Sequence, residues 1–77
     1  MTGKDGRVMP LEFANAGETN VIKRIGGSAE VRRHLAALGF VVGGTVTVLN
    51  SMGGDLIVGV RESRVAISRE MARRILV

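Results

Sequence analysis

The sequence predicts a mainly β domain with two short helices, folded as a small SH3-like barrel of about five strands. Short runs rich in Val, Ile and Thr are separated by glycine pairs, which is typical of strands joined by tight turns. Two further segments show the apolar spacing of helices. At 77 residues the chain holds one domain. It has too much strand for a helix bundle and too little helix for a parallel sheet.

The first strand is predicted at 19–25, where the sequence reads TNVIKRI. Strand alternation puts Val21 beside Lys23 on one face. It puts Ile22 beside Arg24 on the other face. Because each face carries both apolar and basic side chains, we expect this strand to form a curved edge of the barrel.

A helix is predicted over roughly 29–38, after the glycines at 26–27 end the first strand. Ser28 is the expected N-cap, since its hydroxyl can accept a hydrogen bond from an amide of the first turn. The predicted apolar stripe consists of Val31, Leu35 and Leu38. His34 borders this stripe, so we expect a half-buried histidine at the helix edge.

A corner of the barrel is predicted where the helix ends. Gly39 stands where helices commonly adopt the left-handed conformation, and Phe40 is the apolar residue expected to pack back on the last turn. The glycines at 43–44 fit a sharp bend. A second strand is predicted at 45–50, followed by a turn at 52–55, which reads MGGD.

Segments 56–61 and 64–67 predict a hairpin with Glu62 and Ser63 at its tip. A four-residue loop would give the same pairing. The predicted cross-strand pairs are Val60 with Val65, Val58 with Ile67, Gly59 with Ala66, and Arg61 with Arg64. The last pair sets like charges opposite each other, which costs stability unless a carboxylate lies nearby.

A second helix is predicted over 69–75, capped by Ser68. Its expected buried side consists of Met71, Ala72 and Ile75. Glu70 and Arg74 are four positions apart and are expected to form an ion pair on the helix surface. The sequence ILV at 75–77 can return as a strand.

Charge and composition narrow the class of partner. Eleven basic and seven acidic residues give a net charge of +4 and a pI near 11.2, which favours an anionic partner. The absence of cysteine excludes a disulfide framework. No apolar run approaches the roughly 20 residues that span a bilayer, and no signal peptide is visible. We therefore expect a cytoplasmic protein, with a flexible tail at 1–8 and one domain at 9–77.

Catalytic and metal-binding patterns are missing from the sequence. A metal site needs several convergent His, Cys, Asp or Glu side chains, whereas the chain has one histidine and scattered carboxylates. No Ser or Thr has an evident general base. The glycine pairs lack the lysine or the third glycine of phosphate-binding loops. The sequence thus predicts no enzyme activity, no metal site and no cofactor.

Two kinds of binding module remain. Small barrels bind nucleic acids with a basic groove and stacking aromatic rings, but the only rings are Phe13 and Phe40, both expected in the core. The outward face of the first helix carries Arg32 and Arg33 beside two alanines, a pattern that suits a protein interface. A plain solvated face fits the same residues.

The order of these features resembles the FeoA family over about residues 9–77. The helix and its corner carry most of the resemblance: Arg32 and Leu35, then Leu-Gly-Phe at 38–40 and Gly43, at the spacing of the family's Leu-Gly-(Met/Leu/Phe)-x-Pro-Gly. Four further segments fit the family in order: MPL at 9–11 with Gly17, VIKRIGG at 21–27, GGD at 53–55 and VAISREMARRILV at 65–77.

The chain departs from the family pattern at several positions. Val42 and Leu56 stand where the family usually has prolines, so two turns are expected to be less stiff. Ser68 replaces an arginine, and Ala14 stands where a larger apolar residue is common. These changes affect turn rigidity more than fold.

The resemblance implies an SH3-like barrel and a non-enzymatic accessory protein of bacterial ferrous iron uptake. The implied partner is the cytosolic part of a ferrous iron permease with a GTP-binding domain, whose assembly or activity the protein would support. Contact with the membrane would be indirect, at its inner face, and nucleic acid is not an expected partner. The resemblance also suggests a link to transition metal ion binding, and weak self-association is left open.

We predict that the partner contacts one surface made of the first helix, its corner and the MGGD turn. The predicted contact residues are Arg32, Arg33, Ala36, Gly39, Phe40, Met52, Gly53, Gly54 and Asp55. The alternatives are a basic barrel that binds nucleic acid, and an interaction module of a metal-dependent regulatory system, because repressors of that class carry the same fold.

Overall fold

The computed structural model describes residues 8–77. The tail predicted for residues 1–8 lies outside the described residues, apart from Val8. The elements, in chain order, are a 3-10 helix (Leu11–Phe13), β1 (Thr19–Val21), β2 (Arg24–Ile25), α1 (Ala29–Leu38), β3 (Thr45–Met52), β4 (Asp55–Val60), β5 (Ser63–Ser68), α2 (Arg69–Ala72) and β6 (Ile75–Leu76).

The strands form two antiparallel sheets. One has four strands in the order β1-β3-β4-β5, and the other pairs β2 with β6. A bridge between Pro10 and Leu76 extends the smaller sheet. The mainly β, SH3-like class predicted from the sequence is confirmed. There are six strands among the described residues rather than about five, because the first predicted strand is divided.

The segment 19–25 is divided because the chain passes there from one sheet to the other. The amide of Ile22 donates to the carbonyl oxygen of Gly44 (2.8 Å), and its carbonyl accepts from Gly43 (2.8 Å). The next amide, of Lys23, donates to Leu76 in the other sheet (2.8 Å). Simple alternation therefore fails across this point. Ile22 is buried and Ile25 also packs on the core, although they lie three positions apart.

The core lies between the two sheets and α1. Its buried side chains are Leu11, Ile22, Leu35, Phe40, Val46, Val48, Leu56, Val58, Val60, Ile67, Ala72, Ile75 and Val77. The expectation that both rings are in the core is wrong for Phe13, which is 66% exposed. The short 3-10 helix turns Leu11 inward and leaves Phe13 on the outside.

Helix α1 begins and ends at the predicted residues. The Ser28 hydroxyl accepts from the Val31 amide (3.2 Å). At the other end Gly39 has φ of +110°, and its amide donates to Ala36 (3.0 Å). The Phe40 amide donates to Leu35 (3.0 Å), which completes a Schellman motif with two buried apolar side chains in its hydrophobic contact. His34 is exposed rather than half-buried.

The β4–β5 hairpin is present, but the predicted register is wrong: each residue of β4 pairs with the β5 residue two positions before the predicted one. Val60 pairs with Ser63, so the tip is Arg61-Glu62 instead of Glu62-Ser63. Arg64 then lies opposite Gly59, and the predicted pairing of Arg61 with Arg64 does not form. The shift of two positions leaves every side chain on its predicted face. In the observed register all six residues of each strand are paired.

The turn between β3 and β4 is a two-residue hairpin turn at the predicted place. Met52 pairs with Asp55, and Gly53 has φ of +60°. Glycine suits this first central position of the turn. Strand β3 continues to Met52, two residues beyond the predicted end. It contains a β-bulge at Leu49, whose side chain lies over Gly59 on the neighbouring strand.

Helix α2 is shorter than predicted. Ser68 caps it as expected, accepting from the Met71 amide (3.1 Å), but the helix ends at Ala72. Glu70 and Arg74 therefore do not share a helical surface, and the predicted ion pair is not among those observed. Instead Nε of Arg73 donates to Oε1 of Glu12 (2.7 Å), which ties the 3-10 helix to this segment. Ile75 and Leu76 leave the helix early because they pair with β2.

The corner after α1 contains a type II turn over residues 41–44. The Gly44 amide donates to the Val41 carbonyl (3.0 Å). Gly43, the third residue, has φ of +92°, whereas Val42 before it has no positive φ. Val42 occupies the second position of this turn, where proline is common. Its amide donates no hydrogen bond within residues 8–77.

Val42→Pro is therefore expected to raise the free energy of unfolding by about 0.4–1 kcal/mol, because proline restricts the unfolded chain and removes no bond. Denaturant unfolding of both proteins measures this. Gly43→Ala is the matched control and should lower stability by about 1–2 kcal/mol, since the space around Gly43 is open and only its positive φ opposes a side chain. A loss of stability in Val42→Pro would contradict the turn assignment.

Candidate partner-binding surface

The outward side of α1 forms what we call the helix face, made of Arg33, Ala36 and Ala37. All three are exposed. Within residues 8–77 the Arg33 guanidinium has no hydrogen-bond or ion-pair partner. Two alanines beside it leave a flat area to which another backbone can approach closely, and arginine is favoured at interfaces.

Arg32 plays a different part from its neighbour. Its Nη1 donates to the carbonyl oxygen of Gly27 at 2.6 Å, so the side chain folds back over the loop that precedes the helix. Gly27 has φ of +96°, and this bond holds its peptide in the unusual conformation. Arg32 thus stabilises the start of α1, although the sequence predicts it as a contact residue.

The corner residues predicted as contacts, Phe40 and Gly39, also have structural roles. The side chain of Phe40 is completely buried, so it anchors the corner and offers no surface. Gly39 is half-buried. A Cβ at Gly39 would lie 3.6 Å from Cδ of Arg61 and 3.7 Å from a methyl group of Val60. The corner therefore packs against the end of β4.

The MGGD turn lies at the other end of β4. Asp55 begins this strand and Val60 ends it, so the turn and the corner are separated by about 17 Å of strand. The Gly54 carbonyl accepts from the Arg69 amide (3.0 Å), which fixes the turn to the start of α2. The structure thus does not gather the predicted site residues onto one surface, although Met52 is 62% exposed.

Three exposed valines beside the corner are missing from the predicted site. Val41 and Val42 belong to the type II turn, and Val42 is 63% exposed. Val21 lies next to Ile22, whose backbone pairs with Gly43 and Gly44, and it is exposed as well. The sequence does carry a signal for them, because the turn at 41–44 cannot bury both of its adjacent valines.

Arg61 is the one residue other than glycine with a positive φ (+57°) in the described chain. It occupies the first position of the β4–β5 turn, where glycine would be unstrained. Its aliphatic stem lies over Gly39, so the hairpin tip and the end of α1 share one surface. Backbone strain of this kind costs stability and often accompanies a functional residue.

The remaining features of the described residues are weaker candidates for a functional site. A shallow groove of about 240 Å³ lies between the helices, lined by Val31, Ser68, Glu70, Met71 and Arg74. Among residues 8–77 no three His, Asp or Glu side chains lie close enough together to hold a metal ion. Neither helix in this part of the chain is long and apolar enough to cross a membrane.

Comparisons with known proteins agree on one family. The FeoA domain model matches residues 9–77. A protein of Methanocaldococcus jannaschii named Fe(2+) transport protein A is 31% identical over 68 residues, which cover 88% of this chain and 83% of that protein. The crystal structure of an iron uptake regulatory protein (FeoA) superposes with a TM-score of 0.83 at 33% identity, covering 91% of this chain and 93% of that one.

A manganese-dependent transcriptional repressor has the same fold. It superposes with a TM-score of 0.83 at 23% identity, covering 97% of this chain but 46% of the repressor. At this identity the likeness concerns the fold alone. The barrel thus also occurs as a segment of a longer protein.

Arg61→Gly is expected to raise the free energy of unfolding by about 1 kcal/mol, because glycine adopts positive φ without strain. Thermal or denaturant unfolding measures the change. Arg61→Lys keeps both the strain and the aliphatic stem, and should match the parent protein. If Arg61→Gly is less stable than Arg61→Lys, the stem over Gly39 contributes more than the strain costs, and the strain argument is wrong.

Proposed function

The chain belongs to the FeoA family, which is linked to Fe²⁺ transport, and we propose that it is a non-enzymatic accessory protein that binds the cytosolic region of a ferrous iron permease. The bound region would include the permease's GTP-binding domain. The protein would support assembly or activity of the transporter and would reach the inner face of the membrane through this partner alone.

The helix face carries this proposal. Arg33 is exposed and unpaired within the described chain, and the two alanines beside it leave its surroundings flat. An unpaired arginine gains a hydrogen-bonded partner when a carboxylate docks against it. Because α1 is capped at both ends, its backbone needs no reorganisation on binding, which favours affinity.

The polar side chains support a binding role rather than catalysis. Ser28 and Ser68 are engaged as helix caps, and Glu12 is engaged by Arg73. Each of these three side chains has a structural task. The net charge of +4 suits an acidic partner surface.

Arg33→Glu is expected to weaken binding to the purified cytosolic region of the permease about tenfold, through loss of a charge pair and new repulsion. Biolayer interferometry at two salt concentrations measures the affinity. Arg64→Glu is the matched control, because Arg64 is exposed on β5 and also lacks a partner within residues 8–77.

The two variants change the net charge equally, so their comparison separates a defined contact from general attraction. Equal weakening by Arg33→Glu and Arg64→Glu would show that only overall charge matters. No binding of the parent protein would refute the proposed function. A fold check by circular dichroism accompanies each variant, and α1 should stay intact because the Arg33 side chain makes no hydrogen bond or ion pair within residues 8–77.

A further inference from the structure

Chain topology gathers the three exposed valines and Arg61 at one end of the larger sheet. Val21 pairs with Thr45 where β1 ends and β3 begins, and the next residue of β3, Val46, pairs with Val60. Val60 ends β4, so the hairpin tip that follows it lies at this same end. We call the surface formed by Val21, Val41, Val42 and Arg61 the corner patch.

The apolar part of the corner patch is fixed in place by backbone hydrogen bonds. Gly43 and Gly44 each bond to Ile22 at 2.8 Å, which holds the turn carrying Val41 and Val42 against the residue that follows Val21. Three branched apolar side chains are thereby exposed on a preformed surface. Such a surface binds a partner with a small backbone ordering cost in this chain.

The corner patch contains one charged side chain, that of Arg61. From residue 31 to residue 54 the sequence contains no Asp or Glu, while Arg32 and Arg33 lie within this stretch. Arg61 has no ion-pair partner within residues 8–77, and Glu62 beside it is the one acid in the hairpin tip. An apolar surface with a cationic border complements an apolar segment that carries carboxylates.

We propose that the corner patch binds an acidic, apolar segment of a partner protein, with the valines covered by its apolar side chains and Arg61 paired with a carboxylate. Identification of that partner with the permease rests on the proposed function. A second copy of this chain is a poorer occupant, because it would offer Arg61 the same cationic patch and no carboxylate. The left-handed Arg61 then holds the cation beside the valines at the cost of backbone strain.

The first test uses the purified cytosolic region of the permease. Val42→Ser should weaken binding about tenfold, because an apolar group buried on binding is lost. Met52→Ser is the matched control: Met52 is as exposed as Val42 but lies at the far end of β4, so its loss should change affinity less than twofold. Arg61→Glu should weaken binding about tenfold, and Arg61→Lys should retain most of it.

A second test does not depend on the permease. The labelled protein is titrated with a synthetic amphipathic peptide of Leu and Glu, and separately with its counterpart of Leu and Lys, while backbone amide shifts are recorded by NMR. The acidic peptide should shift the amides of residues 21, 39–45 and 61, and the basic peptide should not. Val42→Ser should abolish these shifts and Met52→Ser should keep them.

The outcomes separate the two proposals. If the parent binds the permease region but Val42→Ser and Arg61→Glu bind equally well, the corner patch is wrong and the proposed function stands. If the permease does not bind, the peptide titration decides the corner patch by itself. Equal response to both peptides, no response to the acidic one, or shifts elsewhere would overturn the proposal. Dimerisation in analytical ultracentrifugation that Val42→Ser abolishes would assign the patch to a second copy.

Discussion

The two backbone hydrogen bonds between Ile22 and the glycines at 43–44 determine much of this structure. They end β1 and release the chain to pair with β6, so one seven-residue segment contributes to both sheets. They also fix the turn after α1, whose left-handed Gly43 must lie close to Ile22. The positive φ of Gly43 favours glycine at this position, and the valines beside it are exposed to solvent.

Most of the fold follows from local rules that the sequence displays. Both serine caps, the bounds of α1 and the left-handed Gly39 depend on short-range chemistry, and the structure confirms them. The register of the β4–β5 hairpin does not follow from these local rules, because Arg61 adopts a conformation that propensity assigns to glycine. The observed register, in which six residues of each strand pair, places Arg61 at the first position of the turn.

The candidate site was harder to predict for a physical reason. Sequence spacing tells which residues share a helix face, and it places Arg33 beside Ala36 correctly on the outside of α1. It cannot tell that Arg32 folds back on Gly27, or that β4 separates the MGGD turn from the corner. The Arg32–Gly27 bond is a local contact that apolar spacing along the helix does not display, whereas the position of the MGGD turn depends on tertiary geometry, as does the exposure of Phe13. Gly39 lies between the two proposed surfaces, because it follows the end of α1 and the stem of Arg61 lies over it.

The smaller sheet has a consequence for how the domain folds. Met9 exchanges two backbone hydrogen bonds with Val77 (3.0 and 2.9 Å), and Pro10 bridges to Leu76. These contacts join segments that are distant along the chain, whereas β3, β4 and β5 form local hairpins. Closing a long loop costs entropy before its contacts form, and such topologies fold slowly. We therefore expect the meander of β3, β4 and β5 to form first, and the pairing of Met9 and Pro10 with the end of the chain to form last.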